Sequence, residues 1–482
     1  MNPAAESTTP RVAVIGGGIT GLSAAHRLHE LRSESGRRFQ ITLFEASDRL
    51  TGVMGTEDID GYRIETGADS FITDKPWAVD LAKRLGLEDR LISTDARYRR
   101  SLVLHKGRPQ PVPEGFMLLA PAKIGPVLKS PLLSPWGKLR LGMEYVLPRG
   151  NSGEDESLAH FVRRRLGREV LDRIVQPLVG GIYTSDPEKL SLRATLPRFL
   201  DMEKYERSLI RASRRKRTLQ QAESADGSGA RYGLFATFAD GISELLDALA
   251  ASLTNCEIQL NSPVTQITPS SSQSSAVVKT ADGETQEFDA VIAALPAYRA
   301  ADLIESFADS LAADLRSIEY ASSAIVVTGH RLDDIADPLN AFGLVIPAVE
   351  NRKILAVSFT SRKFPNRAPD GCAQLRTFVG GAMQPELLDL DDDQLLEMVL
   401  GELGEILGVR GKPQVARIAR YHRAMPQYHV GHLDRVARIE TAAAALPFLE
   451  LAGNAYHGVG IPDCVHSGEQ AAERVFSQLC SA

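Results

Sequence analysis

Short runs of apolar residues recur along the chain and are bounded by glycine, proline or charged residues. Four of these runs occupy residues 12–15, 40–44, 288–295 and 448–452. Apolar runs of this length without polar alternation are typical of strands that are covered on both faces, as in a parallel sheet. Residues 257–262 and 276–279 are two further strand candidates, and a serine-rich turn separates them. The pattern therefore predicts a buried sheet that draws its strands from distant parts of the chain.

Other segments repeat their apolar residues every three or four positions, which is typical of helices that bury one face. Such helices are predicted over residues 22–28, 158–166, 169–178, 238–249, 392–407 and 468–479. Residues 86–220 are rich in leucine, proline and arginine, and residues 221–229 (QAESADGSG) indicate an exposed loop. Residues 300–439 mix helices with strands such as residues 323–328. The chain contains no internal repeat and no heptad array.

The composition is ordinary for a globular protein of several domains. With 482 residues the chain is long enough for two to four domains, at roughly 100–200 residues each. Hydrophobic residues make up 43% and charged residues 24% of the chain, which is typical of soluble proteins. The net charge of −6 gives no general attraction to nucleic acid, so any basic function must come from local patches.

The cysteines and the N-terminal segment favour a cytoplasmic protein. None of the four cysteines forms a CxxC pair or joins a histidine cluster, so we expect neither a disulfide framework nor a metal site. Residues 1–10 (MNPAAESTTP) are polar and contain no secretory signal. No run of about 18 apolar residues predicts a transmembrane helix, although peripheral contact with a membrane stays open.

The first chemical motif is a glycine-rich turn between the strand at residues 12–15 and the helix that follows. Gly16, Gly18 and Gly21 form G-x-G-x-x-G, in which the glycines allow a tight turn, approach of a pyrophosphate and close helix–strand packing. The phosphate would lie at the helix N-terminus, where free N–H groups favour an anion. Glu45 ends the second strand, 24 residues after Gly21, where it can accept hydrogen bonds from ribose hydroxyls. The motif predicts binding of FAD or NAD and disfavours a 2′-phosphate.

The residues after Glu45 resemble a flavoprotein family. Residues 45–52 (EASDRLTG), a turn at residues 60–61 and residues 65–70 (ETGADS) resemble the FAD-dependent amine oxidase and protoporphyrinogen oxidase superfamily. That superfamily usually reads E-A-x-x-R-x-G-G followed by a G-P-x-S-like turn. Here Thr51 replaces the first glycine of the pair and Ala68 replaces the proline.

Three later stretches extend this resemblance over nearly the whole chain. Residues 449–475 are similar to the closing FAD motif of the porphyrinogen oxidase branch, and residues 176–183 (QPLVGGIY) are similar to its cavity wall. Residues 235–246 (FATFADGISELL) resemble its F-x-x-F-x-x-G-x-x-x-L motif. The sequence is thereby identified as a member of the bacterial coproporphyrinogen III and protoporphyrinogen IX oxidase family.

The resemblance implies a set of FAD contacts. Arg49 would face the phosphates, the backbone of Val264 would meet the adenine, and residues 459–461 would lie against the isoalloxazine or its ribityl chain. The helix that starts near Asp463 would direct its N-terminus toward the pyrimidine side of the ring. The implied contacts are Gly16, Gly17, Gly18, Ile19, Thr20, Gly21, Glu45, Ala46, Arg49, Gly52, Gly67, Ala68, Asp69, Ser70, Val264, Val459, Gly460 and Ile461.

The resemblance also implies where the substrate binds. Lys75 would meet the propionates of a porphyrinogen, and Gly180 and Gly181 would line the cavity. Weaker candidates for the same role are Arg97, Arg99 and Arg100. The arginine-rich runs at residues 163–165 and 214–217 are either solvated or in contact with an anionic membrane surface.

Some reactive residue types near these motifs have a plainer interpretation. Cys464 is expected to be a small buried thiol rather than a covalent FAD attachment site. His457 and His466 are expected to be hydrogen-bonding or core residues. The sequence contains no convincing Ser/His/Asp or paired-acid arrangement, so no catalytic base is assigned.

The implied activity is the oxygen-dependent, six-electron dehydrogenation of coproporphyrinogen III to coproporphyrin III in haem biosynthesis, in three two-electron steps. Protoporphyrinogen IX oxidation is the first alternative, and another flavin amine oxidase or desaturase is the second. A non-catalytic FAD-stabilised scaffold or haem chaperone is a third reading. The expected partners are the porphyrinogen, oxygen or another electron acceptor, and a ferrochelatase-type downstream enzyme. Cytoplasmic location, with peripheral contact to the inner face of the membrane, is expected.

The expected fold is α/β, with a Rossmann-like FAD-binding domain of the GR2 type, a mixed sheet–helix substrate domain and a helical insertion. The FAD-binding domain is expected to combine residues 1–85, 231–296 and 440–482. Residues 86–230 are expected to form the mainly helical insertion that lines the substrate cavity. Residues 297–439 are expected to form the substrate-binding domain.

Overall fold

The computed structural model describes residues 9–150, 154–215 and 234–481. The loop predicted at residues 221–229 and the second half of the arginine-rich run at residues 214–217 lie outside the described residues.

The strands are distributed over the whole chain, as the apolar runs predict. They are β1 (Arg11–Ile15), β2 (Gln40–Phe44), β3 (Thr56–Ile59), β4 (Tyr62–Glu65), β5 (Phe71–Ile72), β6 (Leu91–Ser93), β7 (Ser101–His105), β8 (Arg108–Pro111), β9 (Phe116–Met117), β10 (Ala120–Pro121), β11 (Phe235–Phe238), β12 (Glu257–Gln259), β13 (Val264–Pro269), β14 (Ala276–Thr280), β15 (Thr285–Phe288), β16 (Ala290–Ala293), β17 (Tyr320–Arg331), β18 (Gly343–Val345), β19 (Ala356–Phe359), β20 (Cys372–Gly380), β21 (Val415–Pro426) and β22 (Leu449–Leu451).

The α-helices lie between these strands along the chain, and seven of the described helices fall between β10 and β11. They are α1 (Ile19–Ser35), α2 (Trp77–Arg84), α3 (Ile124–Lys129), α4 (Pro135–Gly142), α5 (Leu158–Arg165), α6 (Arg168–Val170), α7 (Gln176–Tyr183), α8 (Leu192–Thr195), α9 (Pro197–Glu206), α10 (Ser243–Ser252), α11 (Ala297–Ile304), α12 (Asp309–Arg316), α13 (Thr360–Lys363), α14 (Asp392–Leu407), α15 (His432–Ala444) and α16 (Ile461–Ser481). A π-helical turn, Leu171–Val175, joins α6 to α7.

A five-stranded parallel sheet lies at the centre of the molecule, in the order β12-β2-β1-β16-β22. One of its faces is covered by α1, α10 and α16, which share a buried cluster with the sheet. The other face is covered by the antiparallel β13-β14-β15 sheet and by α11, α12 and α15. The parallel sheet and the α/β fold class predicted from the sequence are therefore confirmed.

A second, seven-stranded sheet has the order β21-β17-β20-β19-β18-β7-β8. It is antiparallel except for the pair of β18 and β7. The hairpin of β7 and β8 comes from the segment predicted to be mainly helical, and its turn residues Lys106 and Gly107 both have positive φ, 52° and 71°. A Lys-Gly turn between short strands carries little hydrophobic signal, so the sequence did not predict this hairpin. The division into three domains stays a prediction.

Helices α3 to α9 share a separate apolar cluster. The arginine-rich run at the end of α5 lies within this region, and each of its arginines has an acidic partner. Arg163 pairs with Glu188, and Arg164 pairs with Glu156 and Glu203. Arg165 is fully buried against Glu144. The expectation that this run is solvated or touches a membrane is therefore wrong for Arg165, because the fold supplies a buried carboxylate.

Candidate functional site

The glycine turn between β1 and α1 has no room for side chains. A Cβ on Gly21 would lie 1.8 Å from the carbonyl oxygen of Gly16, and a Cβ on Gly16 would lie 2.5 Å from that of Ala294. Gly16 has a φ of 108°, which favours glycine. Gly18 lies opposite Gly52, and a Cβ on Gly52 would lie 3.2 Å from the Cα of Gly18. The turn therefore exposes backbone at the N-terminus of α1, where an anion is favoured.

Glu45 lies directly beside this turn. Its Oε2 accepts a hydrogen bond from Gly17 N–H at 2.7 Å, and its Oε1 accepts one from Ser47 N–H at 2.8 Å. The segment that follows β12 runs alongside, because Ser262 N–H donates to the Glu45 carbonyl at 2.9 Å. Val264 begins β13 at the end of this segment. The carboxylate and Val264 thus lie at the same edge of the parallel sheet.

Residues 49–52 complete the turn from the other side. Thr51 N–H donates to the carbonyl of Gly17 at 2.9 Å, and Thr51 has a φ of 141°. A β-branched residue is strained in that conformation, and the family pattern has glycine there. The Thr51 hydroxyl is also sealed from solvent without a hydrogen bond among the described residues. Ala46 and Arg49 are exposed, and no described residue forms an ion pair with Arg49.

The turn at residues 66–70 is held by the seven-stranded sheet. A Cβ on Gly67 would lie 2.2 Å from the carbonyl oxygen of Val53. The Tyr421 hydroxyl donates to the Thr66 carbonyl at 2.5 Å, and the Arg376 guanidinium donates to the Gly67 carbonyl. Ala68 packs at the edge of the cluster between the sheet and α1.

Asp69 and Ser70 are bound by a lysine that the sequence analysis did not identify. Lys363 Nζ lies 3.1 Å from both carboxylate oxygens of Asp69 and 2.8 Å from the Ser70 hydroxyl. Burial acts to raise the pKa of Asp69, but Lys363 and Arg376 hold it well below its usual value. These two cations lie on α13 and β20, more than 290 residues away, so no local signal could have linked them to this turn.

The turn after β22 is filled by an aspartate from its own helix. Asp463 lies in the first turn of α16, and its Cγ is 2.2 Å from where a Cβ on Gly458 would lie. Its Oδ2 is 3.2 Å from the corresponding position on Gly460. Lys75 Nζ donates to Asp463 Oδ1 at 2.5 Å. The predicted substrate-binding lysine is therefore brought against the predicted flavin turn.

Helix α16 is fixed directly on α1. A Cβ on Gly468 would lie 2.2 Å from the carbonyl oxygen of Thr20, so this glycine allows the two helices to touch. Burial raises the pKa of Cys464 to about 12, and its thiol contacts the side chain of Thr20. The thiol is therefore kept protonated and unreactive, as the sequence interpretation expected. Ile461 is buried in the same cluster.

Helix α7 approaches the same place from the helical region. Gly181 is exposed, and its Cβ position lies 3.8 Å from Val345 of the seven-stranded sheet. Gly180 is half-buried, one residue before it. Burial raises the pKa of Tyr183, at the end of α7, to about 12, and the negative charge of Asp463 contributes to this. Val459 packs against the cluster of the helical region.

The remaining candidates have other contacts. Arg97 forms an ion pair with Asp95 at 2.6 Å, and Arg99 donates to the Thr94 carbonyl. His457 lies 2.6 Å from Glu440, and the His466 ring stacks on Trp77 with 3.9 Å between centroids.

The assembled residues fit a dinucleotide. Close-packed glycines expose backbone at the N-terminus of α1, and Glu45 follows the second strand. Val459, in the turn before α16, packs against the same apolar cluster as Val345 of the seven-stranded sheet. Within the three described ranges, no group of three or more histidine, cysteine or acidic side chains is arranged to hold a metal ion.

Comparisons with known proteins agree with this geometry. Residues 19–476 match the family model of flavin-containing amine oxidoreductases. The coproporphyrinogen III oxidase of Bacillus subtilis (strain 168) is 34% identical over 98% of this chain and 98% of its own length. The mitochondrial protoporphyrinogen oxidase of Nicotiana tabacum is 28% identical over 98% of this chain and 96% of its own.

A solved structure extends the agreement to the fold. A crystal structure from Exiguobacterium sp. 255-15, assigned as a protoporphyrinogen oxidase, superimposes with a TM-score of 0.85 at 27% identity, covering 98% of this chain and 99% of its own. The FAD cofactor and the resemblance predicted from the sequence are confirmed by these findings. The chain therefore belongs to the flavin-containing amine oxidoreductase family.

Proposed function

We propose that this protein is a coproporphyrinogen III oxidase that removes six electrons and six hydrogens from its substrate to give coproporphyrin III in haem biosynthesis. The observation that carries the proposal is the full-length similarity to a protein of that name, at 34% identity. The plant protoporphyrinogen oxidase is less similar, at 28%. Oxygen or another electron acceptor completes each cycle.

In this proposal the cofactor contacts are those predicted from the sequence at residues 16–21, 45–52, 67–70, 264 and 459–461. The flavin supplies the hydride-accepting chemistry. The chain's own residues bind and orient it: the glycine turns expose backbone N–H groups, and Glu45 offers its carboxylate to the ribose.

The proposed substrate site lies between the end of α7, the seven-stranded sheet and the turn before α16. Lys75 would bind a propionate; its side chain is 38% exposed and its ammonium group pairs with Asp463. Gly180 and Gly181 would leave room for a flat macrocycle beside Val345. A substrate with four carboxylates suits a basic residue at the mouth better than one with two.

The test is to supply coproporphyrinogen III and protoporphyrinogen IX separately to the purified holoprotein and to follow porphyrin fluorescence. We expect a higher kcat/KM for coproporphyrinogen III. Lys75→Met should raise its KM about 10-fold, whereas Lys83→Met, at an exposed pair with Asp80, should leave KM unchanged. A lack of turnover with coproporphyrinogen III would contradict the proposal, and preference for protoporphyrinogen IX would establish the alternative.

A second proposal concerns peripheral contact with the inner face of a membrane. Within the described residues, no helix is both long and apolar enough to cross a bilayer. An apolar stripe nevertheless faces solvent on α3, α4 and the turn that follows. Its members, with their exposed fractions, are Ile124 39%, Leu128 58%, Trp136 78%, Leu139 58%, Met143 46% and Val146 68%.

The charges around the apolar stripe fit an anionic lipid surface. Residues 121–150 contain five cations and one acid. That acid, Glu144, is buried against Arg165, and one of the cations, Lys123, forms an ion pair with Glu114. Apolar side chains with a tryptophan, flanked by cations, are typical of surfaces that insert into the lipid headgroup region. This stripe supports the membrane proposal better than the arginine run at residues 163–165, whose charges are neutralised.

Sedimentation with vesicles of anionic and of neutral lipid tests this proposal. We expect binding to the anionic vesicles, reduced at least 10-fold by Trp136→Ser with Leu139→Ser. Val349→Ser should have no effect, because Val349 is also exposed, at 51%, but lies outside the stripe. Equal sedimentation of the double variant would contradict a role for the stripe. Failure to bind vesicles, together with retention on a ferrochelatase-type enzyme, would instead support the predicted protein partner.

A further inference from the structure

The proposed reaction requires a proton acceptor as well as a hydride acceptor. Each two-electron step removes a hydride from one carbon of the macrocycle, and a proton must leave a neighbouring N–H or C–H group so that a new double bond forms. Bound FAD would supply the hydride acceptor, but no residue predicted from the sequence takes the proton. The inference below rests on the proposed function and addresses this gap.

Asp463 is the carboxylate that lies beside the predicted flavin turn. Its Oδ1 holds Lys75 Nζ at 2.5 Å. Its Oδ2 accepts no hydrogen bond among the described residues, is not sealed from solvent, and lies 3.2 Å from the Cβ position of Gly460. The side chain is 11% exposed, so the carboxylate is largely enclosed but keeps one oxygen available.

Two other acidic side chains near the cofactor motifs already form hydrogen bonds or ion pairs with neighbouring residues. Asp69 is bound by Lys363, Ser70 and Arg376, which hold its pKa well below its usual value. Glu45 accepts hydrogen bonds from Gly17 and Ser47 at the opposite end of the glycine turn.

The histidines of this region are also engaged elsewhere. His457 is an exposed side chain paired with Glu440, and His466 is stacked on Trp77. Asp463 is therefore the acceptor that the described residues leave available next to Gly460.

We propose that Asp463 is a catalytic residue, and that its Oδ2 accepts the proton released when the macrocycle loses a hydride. The N–H or C–H bond of the substrate breaks, its electron pair enters the new double bond, and an O–H bond forms on Asp463. The substrate thus loses a hydride and a proton, which together are two electrons and two hydrogens. Because Oδ2 is not sealed from solvent, the proton leaves to water before the next step.

Charged and titratable groups face Asp463 from four directions. Lys75 approaches from the segment after β5, Tyr183 from α7 and Tyr428 from the segment after β21, while Cys464 and His466 belong to α16. Burial keeps the two tyrosines and the cysteine neutral, because it raises the pKa of each. Lys75 is thus the cation that forms an ion pair with the carboxylate, at 2.5 Å.

The test compares Asp463→Asn and Asp463→Glu with the wild-type holoprotein. We expect Asp463→Asn to lower kcat for coproporphyrinogen III by about 100-fold or more, the scale of general-base catalysis, and to remove the acidic limb of the pH–kcat profile. Asp463→Glu should restore part of the rate and that limb. Lys75→Met, which breaks the same ion pair but keeps the carboxylate, should act mainly on KM.

Three measurements distinguish a catalytic role of Asp463 from a structural one. FAD content, thermal unfolding and the affinity for coproporphyrin III, read from fluorescence quenching, should stay near wild-type values in Asp463→Asn. Glu469→Gln is the matched control, because it removes a carboxylate that pairs with Arg84 two turns along the same helix. Its kcat should not change.

Three results would overturn the inference. If the wild type turns over the substrate and Asp463→Asn keeps kcat within about threefold with an unchanged pH profile, Asp463 is not the acceptor and the proposed function stands. If Asp463→Asn loses FAD or stability, and Asp463→Glu regains these without regaining the acidic limb, the residue is structural. A wild type that oxidises neither porphyrinogen would overturn both proposals together.

Discussion

The glycine turn at the edge of the parallel sheet and the arginine run on α5 are accommodated in opposite ways. At the glycine turn, the backbone packs so tightly that a single methyl group on Gly21 would overlap the carbonyl of Gly16. In the helical region, three successive arginines keep long side chains and are accommodated because acids from distant helices meet them. The glycine turn needs only small residues at fixed positions, which the local sequence provides. The arginines need acidic partners, and the fold decides which acids lie near them.

The largest effect is expected from adding one carbon to the glycine turn. Gly21→Ala places a Cβ 1.8 Å from a backbone oxygen, which forces α1 away from β1, so we expect loss of bound FAD and destabilisation by about 4 kcal/mol. Flavin absorbance after gel filtration and urea unfolding measure both. Gly401→Ala is the control, because nothing lies within 4 Å of that position on α14 and stability should hold or rise. An FAD-replete Gly21→Ala protein would contradict the steric account.

The arginine run allows the matching test of charge. Arg165→Met leaves the carboxylate of Glu144 buried without its cation, so we expect destabilisation by about 3–5 kcal/mol in urea unfolding. Arg163→Met removes an exposed pair with Glu188 in the same turn of helix, and we expect a change below about 1 kcal/mol. Equal effects at the two positions would mean that burial does not set the strength of these pairs.

A buried acid at the junction of the sheets makes stability depend on pH. Burial raises the pKa of Glu65 to about 7, although Arg367 lies 3.8 Å away. Because an unfolded glutamate titrates near about 4.3, the folded state keeps a proton that the unfolded state releases between these values. The contribution of Glu65 to the free energy of unfolding is therefore fully present below about pH 4. It is lost as the pH rises through about 7, and the loss is on the order of 3 kcal/mol.

Unfolding of the wild type and of Glu65→Gln across pH 4 to 9 measures this dependence. The variant should lose the decline that Glu65 causes and should keep the rest of the profile. A variant that declines as steeply as the wild type would show that another group is responsible.

The smallest effect is expected at Thr51, whose backbone is strained in the turn formed by residues 49–52. Thr51→Gly relieves a φ of 141° and removes a buried hydroxyl without a partner, at the cost of greater chain entropy. We expect stabilisation of the FAD-free protein by about 1 kcal/mol, read from thermal unfolding. Thr51→Ser, which keeps the hydroxyl and the strain, should not stabilise, and equal stabilisation by both would contradict the backbone argument.

Much of the fold was predictable because its signals are local. The apolar runs predicted the strands of the parallel sheet, and the prediction of a helix over residues 392–407 matches α14. The apolar spacing predicted the closing helix over residues 468–479 and the family resemblance placed its start near Asp463, whereas α16 begins at Ile461. The β7–β8 hairpin was missed, since a short Lys-Gly turn between modestly apolar strands has a weak pattern.

The sequence by itself determined the parallel sheet, the glycine turn with Glu45 and the family, because each depends on spacing and steric demands between near neighbours. Only the tertiary structure decided which groups meet across the chain. Lys363 and Arg376 donate hydrogen bonds to the turn at residues 67–70, and Lys75 forms an ion pair with Asp463. Gly468 allows α16 to pack closely on α1, and Arg165 is buried against Glu144. The physical reason is that a salt bridge or a helix contact depends on distances in space, and sequence spacing does not contain those distances when hundreds of residues intervene.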